Sequence, residues 1–370
     1  MQLYNLEFSE AQIRQAVAAN RLLSMEIEFS RACNWRCTYC YLENRTATPG
    51  ELSREEIKDV LLQAKELGAK KIIILGGEPS IYPHLIEMLH FIDGRGLEIE
   101  MFTNGSGITG QLAETLAEVK ARVVVKMNSR NQAVQEMLAD TKGALQVITE
   151  ALTRLNRAGY PGKDRFLAVS TIICRQNIDE LPALWQWLRH QGIEPFFEIL
   201  TPQANARENS WLRVEPEELR RLFLQLAAID REQFGREWEP QPPLVGNRCM
   251  RHQVSCVVTA TGDVMPCVGV TIALGNIRRR RLADILKESE VIANLKNYRR
   301  TIKGACQTCE KSIECYGCRG AAYQLTGDYL AADPTCWRNS PSPPRPGEKR
   351  REGPECPSSP PPKTARRSGP

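Results

Sequence analysis

The chain has 370 residues, 42% of them hydrophobic and 25% charged, with a formal net charge of +5. That length supports a large core without disulfide staples. Much of the charge is local: residues 341–370 hold seven Lys/Arg against three Glu, which leaves only +1 on residues 1–340. A near-neutral body excludes a protein built to coat nucleic acid. No apolar run reaches the ~20 residues needed to span a bilayer. The front of the chain lacks the basic-then-apolar pattern of a secretory signal, so a cytoplasmic protein with no membrane partner is expected.

Residues 1–23 read as an N-terminal extension. From 24 to 206, short apolar runs alternate with amphipathic stretches. Strands are expected over Met25–Phe29, Lys71–Leu75, Leu97–Phe102, Arg122–Met127, Phe166–Ile173 and Pro195–Leu200. Helices are expected over Ser53–Leu67, Tyr82–Asp93, Thr109–Lys120, Gly143–Ala158 and Asp179–His190. Ser53 with Glu56 three residues on forms a capping box, and Gly68 and Gly159 stop helices. Six such units predict a parallel sheet covered by helices, closing into a partial or full βα barrel. Reactive groups then gather at the C-terminal ends of the strands. Residues 207–248 read as a charged helix and a Pro-rich linker. Residues 249–338 are turn-rich and cysteine-dense, a second domain. Residues 339–370 hold ten of the 23 prolines and almost no large apolar side chains, the composition of a disordered tail.

Thirteen cysteines in a reducing compartment point away from disulfides. Three of them, Cys33, Cys37 and Cys40, follow the first strand on one loop, and eight fall between Cys249 and Cys336. Clustering of this kind is the pattern of metal or cluster ligation. The front loop offers three thiolates, with no histidine and no fourth cysteine within reach. Those three hold three corners of a cubane iron–sulfur cluster and leave one iron open. A closed structural zinc site takes four ligands and needs completion from elsewhere. In the second group, Cys306-x2-Cys309-x5-Cys315-x2-Cys318 is too regular for chance. Eight thiolates match two four-cysteine sites, either zinc or iron–sulfur.

Cys33, Cys37 and Cys40, with Tyr39 just before the last, match the motif of the radical S-adenosylmethionine (radical SAM) superfamily. Gly76-Gly77-Glu78-Pro79 after the second strand resembles that family's GGEP motif, and Thr103-Asn104-Gly105 after the third is a further feature. The resemblance covers roughly residues 24–205. It implies an α/β fold, a partial (βα)6 TIM-like barrel serving as the radical SAM core. It also implies that Tyr39, Gly76, Gly77, Glu78, Pro79, Thr103, Asn104 and Ser129 contact the cofactor. Gly76 to Glu78 would take the amino group of S-adenosylmethionine, Asn128 or Ser129 would meet the ribose, and Asn177 would lie near the adenosyl group. The C-terminal region is similar to the SPASM extension of the MoaA/PqqE/anaerobic sulfatase-maturase-like group. Family geometry then implies two auxiliary [4Fe–4S] clusters, one on Cys249, Cys256, Cys267 and Cys318, the other on Cys306, Cys309, Cys315 and Cys336. Two gaps depart from the family spacing: Cys315 to Cys318 is one residue shorter than usual, and Cys249 to Cys256 one longer. Where the sulfatase activators carry an acidic base, this chain has Val268.

The resemblance implies reductive cleavage of S-adenosylmethionine to a 5′-deoxyadenosyl radical. An electron comes from a flavodoxin or ferredoxin-type reductant, and the radical abstracts hydrogen from a peptide or protein side chain in oxidative maturation or cross-linking. A small-molecule dehydrogenase, epimerase or tetrapyrrole side-chain oxidase is the alternative. The 32 residues before Cys33 are too few for a peptide-recognition domain at the front, which weighs toward that alternative. A non-catalytic electron carrier accounts for the cysteines and leaves the glycine loop and TNG turn unexplained. The four histidines, His84, His90, His190 and His252, form no metal-binding pair, and Cys174 and Cys356 stand alone.

Overall fold

Six parallel strands form in the order the apolar runs lie along the chain: β1 Ser24–Glu28, β2 Lys71–Leu75, β3 Glu98–Thr103, β4 Arg122–Lys126, β5 Leu167–Ile173 and β6 Glu194–Ile199. The computed structural model describes residues 8–339 apart from 44 and 250. The start of the N-terminal extension and the expected Pro-rich tail from 340 on lie outside the described residues. Each of the six strands pairs in parallel with its sequence neighbour, and β1 and β6 stand at opposite ends of the run. The barrel is therefore open, as a partial (βα)6 array.

Helices α1 Glu10–Ala18, α2 Arg54–Glu66, α3 Leu85–Asp93, α4 Gly110–Glu118, α5 Gln132–Ala139, α6 Ala144–Arg157 and α7 Leu181–His190 accompany the strands. Ser53 does cap α2 through a reciprocal box with Glu56. Neither α1 nor α5 is expected from the apolar pattern. Both are short, and α1 begins at a second capping box, Ser9 with Gln12. Met25, Ile27, Ile72, Ile74, Val123 and Val125 join Ile57, Leu61, Met88 and Leu116 of the helices in one core, each fully buried.

After β6 come α8 Asn205–Glu208 and α9 Pro216–Phe234, the latter being the charged helix expected in residues 207–248. Helix α9 packs on α7 around a buried acid. Asp230 accepts from Trp185 Nε1 (2.8 Å), Trp238 Nε1 (2.9 Å), and Arg189 Nε (3.0 Å) and Nη2 (2.9 Å). Removing it takes away the partner of both tryptophan N–H groups and leaves the Arg189 guanidinium, only 3% exposed at the side chain, with the Glu194 half of its pairing (2.7 Å). Asp230→Ala should therefore cost about 3–5 kcal/mol in denaturant unfolding. Arg231→Ala, at an exposed neighbour, should stay within about 0.5 kcal/mol.

Past the linker the sheet continues. After α10 Arg251–Val254, β7 Val257–Val258 pairs in parallel with β1, Glu26 opposite Val257 and Ile27 opposite Val258. Strands β8 Asp263–Met265 and β9 Gly275–Asn276 add antiparallel to it, giving nine strands in the order β6-β5-β4-β3-β2-β1-β7-β8-β9. The boundary expected at residue 249 thus runs through a sheet shared by both regions. Short helices α11 Leu282–Glu288, α12 Glu290–Lys296, α13 Tyr298–Thr301, α14 Ala305–Thr308 and α15 Arg319–Thr326 complete the cysteine-rich part. Among the described residues no helix is long and apolar enough to cross a membrane.

Candidate functional site: a thiol-lined cavity at the strand ends

The loop after β1 is folded back over the barrel mouth by hydrogen bonds to its backbone. Cys33 N donates to Arg45 O (3.0 Å), Thr38 N to Leu138 O at the end of α5 (3.0 Å), and Asn205 Nδ2 to Cys37 O (3.0 Å). The unexpected helix α5 is thus part of the loop's seat. After β2, Gly77 N donates to Ser30 O and Glu78 N to Ala32 O, both at 2.8 Å. Gly76 has φ +129°, and a Cβ on Gly77 would sit 2.0 Å from Ala32 O. Two residues without side chains let the end of β2 cross the root of the cysteine loop.

Glu78, 4% exposed, ties this crossing to the next strand end. Its carboxylate accepts from Thr103 Oγ1 (2.5 Å), Asn104 N (2.6 Å) and Ser80 N (2.9 Å). Burial pushes its pKa up, against the pull of those donors. Asn104 Nδ2 in turn reaches Asn34 Oδ1 at 3.1 Å. The Glu78 carboxylate is therefore a brace between the GGEP and TNG turns.

Cys33, Cys37, Tyr39, Cys40, Gly76, Gly77, Glu78, Thr103 and Asn104 line one cavity of about 250 Å³. Pro79 and Ser129 are outside that lining. Pro79 is buried and opens a single turn after Glu78. Ser129, fully buried, bonds the Glu180 carboxylate and Asn131. Asn128 and Asn177 clamp the ends of β4 and β5: Asn177 Nδ2 donates to Asn128 O (2.9 Å), and Asn128 Oδ1 accepts from Ile172 N (2.9 Å).

The cavity adds side chains that the motifs do not mark: Lys126, Ser170, Glu198, Phe102, Phe196 and Arg251. Lys126 Nζ donates to Ser170 Oγ (3.1 Å), stands 4.0 Å from the Glu198 carboxylate and lies over the Tyr39 ring at 5.2 Å. Burial pulls its pKa down while Glu198 and the thiols of the loop pull it up. Arg251, from the C-terminal region, pairs with buried Glu26 of β1 at 3.0 Å. Val268 and Gly269 close the same space from the loop after Cys267. Strand parity is the signal that marks the β-strand members, because Lys126, Ser170 and Glu198 alternate with core residues.

Burial raises the Cys33 thiol to about 11 and Cys37 to about 12, and raises Cys40 as well. The thiolate form needs a positive partner such as iron to form at neutral pH, with protons released on loading. The eight C-terminal cysteines separate by their surroundings. Cys315 lies within electrostatic reach of Cys306 and Cys309, and Cys336 within reach of Cys306 and Cys315. Cys318 lies within reach of Cys249 and Cys267. Cys256 lies apart, fully buried in the main core, with Glu26 and Lys296 as the charged groups acting on it.

Donors aim at these sulfurs. Trp35 N lies 3.4 Å from Cys33 Sγ, Gly317 N 3.2 Å from Cys315, Ala321 N 3.3 Å from Cys318, and Asp333 N and Asn339 Nδ2 3.3 and 3.2 Å from Cys306. N–H groups directed at sulfur stabilise cluster thiolates. Among the described residues no three His, Cys, Asp or Glu side chains converge as ligands of one metal ion would. A cluster takes one thiolate per iron and does not require that convergence. The donor sets fit clusters.

An open parallel α/β barrel with three thiols on its first loop and a glycine crossing on its second defines the class of radical SAM proteins. Residues 27–188 match the family model of the radical SAM superfamily, and residues 249–310 match the SPASM model, an iron–sulfur cluster-binding domain. The chain belongs to the radical SAM superfamily and carries a SPASM domain. Its cofactors are S-adenosylmethionine and [4Fe–4S] clusters. It is 26% identical over 346 residues to an AdoMet-dependent heme synthase of Methanosarcina barkeri, covering 86% of this chain and 96% of that one. It is 29% identical over 338 residues to a PqqA peptide cyclase of Streptomyces rochei, covering 84% and 88%. Its fold resembles Streptococcus suis SuiB bound to precursor peptide SuiA, with a TM-score of 0.66 at 18% identity over 91% of this chain and 84% of that one.

Proposed function

We propose that this radical SAM/SPASM enzyme abstracts hydrogen from a peptide or protein side chain, in an oxidative maturation or cross-linking reaction. The bound cluster and S-adenosylmethionine supply a 5′-deoxyadenosyl radical when an electron arrives from a flavodoxin or ferredoxin-type protein. Cys33, Cys37 and Cys40 hold the cluster in this reading. The carbonyls of Gly76 to Glu78 accept from the ammonium group of S-adenosylmethionine. Lys126, the half-buried cation beside the thiol loop, neutralises a carboxylate docked there. Phe102 and Phe196, packed edge-to-face at 5.8 Å, form an apolar wall that keeps water from the reacting carbon. Cys306, Cys309, Cys315 and Cys336 hold the outer auxiliary cluster, and Cys249, Cys267 and Cys318 belong to the nearer one. That nearer site adjoins the cavity through Val268, Gly269 and Arg251, and a cluster held there by Cys249, Cys267 and Cys318 would supply an electron acceptor beside the substrate.

The observation that carries the reading is this single cavity, walled by the cysteine loop on one side and by the C-terminal region on the other. The peptide class is supported by the PqqA peptide cyclase and by a mycofactocin maturase of Mycolicibacterium smegmatis, 26% identical over 325 residues. The heme synthase, matched over 96% of its length, supports a second reading with a tetrapyrrole substrate. Anaerobic turnover with a one-electron reductant and deuterated candidates separates the two by mass spectrometry. Label should pass from a peptide to 5′-deoxyadenosine while the peptide loses hydrogen. Transfer from a tetrapyrrole alone would replace the peptide reading by the second.

A further inference from the structure

Strand pairing decides which side of the sheet each residue near the auxiliary site faces. In a parallel pair in register, opposed residues put their side chains on the same face, and successive residues alternate. Val257 lies opposite Glu26 and Val258 opposite Ile27. Glu26 faces the barrel interior, where Arg251 meets it at the cavity wall. Ile27 faces the helix layer and belongs to the main core with Met25, Ile57 and Ile72. Cys256, one residue before Val257 and two before Val258, falls on the side of Ile27. It is fully buried there and belongs to the same core, as does Val258. Its backbone is fixed as well, since Cys256 O accepts from Glu26 N at 2.9 Å.

The other three cysteines of the expected nearer site lie elsewhere. Cys249 packs with Tyr298, Ile302 and Tyr316, and Tyr316 Oη donates to its sulfur at 3.4 Å. Cys267 and Cys318 both lie within electrostatic reach of Cys249, and Cys318 caps α15 through Ala321 N. Each of the two carboxylates beside this trio has a partner, although the Glu26 oxygens make no hydrogen bond. Asp333 accepts from Cys318 N (2.6 Å) and from Thr335 N (2.8 Å) and Oγ1 (2.7 Å), and Glu26 is paired with Arg251.

We propose that the nearer auxiliary cluster is held by three thiolates only, Cys249, Cys267 and Cys318, that Cys256 is a core residue, and that one iron takes its fourth ligand from outside the chain. The fourth ligand is a small sulfur, nitrogen or oxygen donor supplied by substrate or solvent. Bringing Cys256 to the cluster would require it to cross a sheet whose pairing with β1 holds Val257 and Val258 in place. The one-residue-longer gap between Cys249 and Cys256 has this consequence: the second cysteine lands on the strand, facing the helix layer.

This rests on the reading that the C-terminal cysteines hold two cubanes, so the test separates the two. Full-length protein is reconstituted anaerobically, and iron and sulfide are counted in the wild type, Cys256→Ala, Cys256→Val and Cys267→Ala. The wild type should hold about twelve irons, both Cys256 variants about twelve, and Cys267→Ala about eight. Valine fills the core volume, so at least one Cys256 variant should fold. In a variant lacking Cys33, Cys37 and Cys40, added cyanide should shift the electron paramagnetic resonance signal of one reduced auxiliary cluster. A loss of about four irons from folded Cys256→Val, or a cyanide-insensitive signal at full loading, would overturn the proposal. A wild type with only about four irons would instead remove the two-cubane reading beneath it.

Discussion

Replacing Cys33, Cys37 and Cys40 together with Ala should remove about four of about twelve irons and abolish release of 5′-deoxyadenosine. The expectation follows from the cavity. These three thiols are the cysteines that line it, and all three are buried enough for their pKa values to be raised. Nothing but a cationic centre makes three such thiolates stable together at neutral pH. The eight C-terminal cysteines lie on other elements, so their iron should remain. Iron analysis and chromatography of the reductant-treated mixture read both effects. Persistent cleavage in the triple variant would place the chemistry elsewhere in the chain.

Gly77→Ala should be almost as damaging without touching a ligand. Its new Cβ would stand 2.0 Å from Ala32 O and 2.4 Å from Arg31 O, backbone atoms with no side-chain freedom to withdraw. The two segments must part, breaking the bonds from Gly77 N to Ser30 O and from Glu78 N to Ala32 O. A cost of about 4 kcal/mol or more is expected in thermal unfolding. About four irons should be lost while about eight stay. Gly110→Ala is the control, since a Cβ there would meet nothing within 4 Å. It should leave the iron content unchanged and the stability within about 0.5 kcal/mol of wild type.

The parallel barrel was legible because its strands are near-continuous apolar runs, buried on both faces as parallel strands are. Lys71–Leu75 is found at the residues expected, and the other five strands shift by one residue at one end or both. Helix α5 was not legible, since Gln132–Ala139 has only Gln135, Leu138 and Ala139 buried, too few for a clear period. The cysteine loop and glycine turn stand out because both depend on residue type at fixed spacing. Their support does not: Lys126 and Arg251 reach the cavity from distant parts of the chain, and only the assembled sheet brings them together. Ser129 has the position of a ribose contact at a strand end, and the structure shows it spent on Glu180. The role of Glu78 was likewise hidden, because a motif names a residue without saying whether its carboxylate or its carbonyl is free. Strand β7 was not legible either, because two residues carry no period and its place in the sheet comes from pairing with β1 and β8.

The most direct measurement is the spectrum of the reduced, reconstituted protein before and after S-adenosylmethionine is added. One cluster signal should change on addition, and that change should vanish when Cys33, Cys37 and Cys40 are replaced. A fully loaded protein whose every signal ignores S-adenosylmethionine, or a front loop found to hold zinc, would contradict the account.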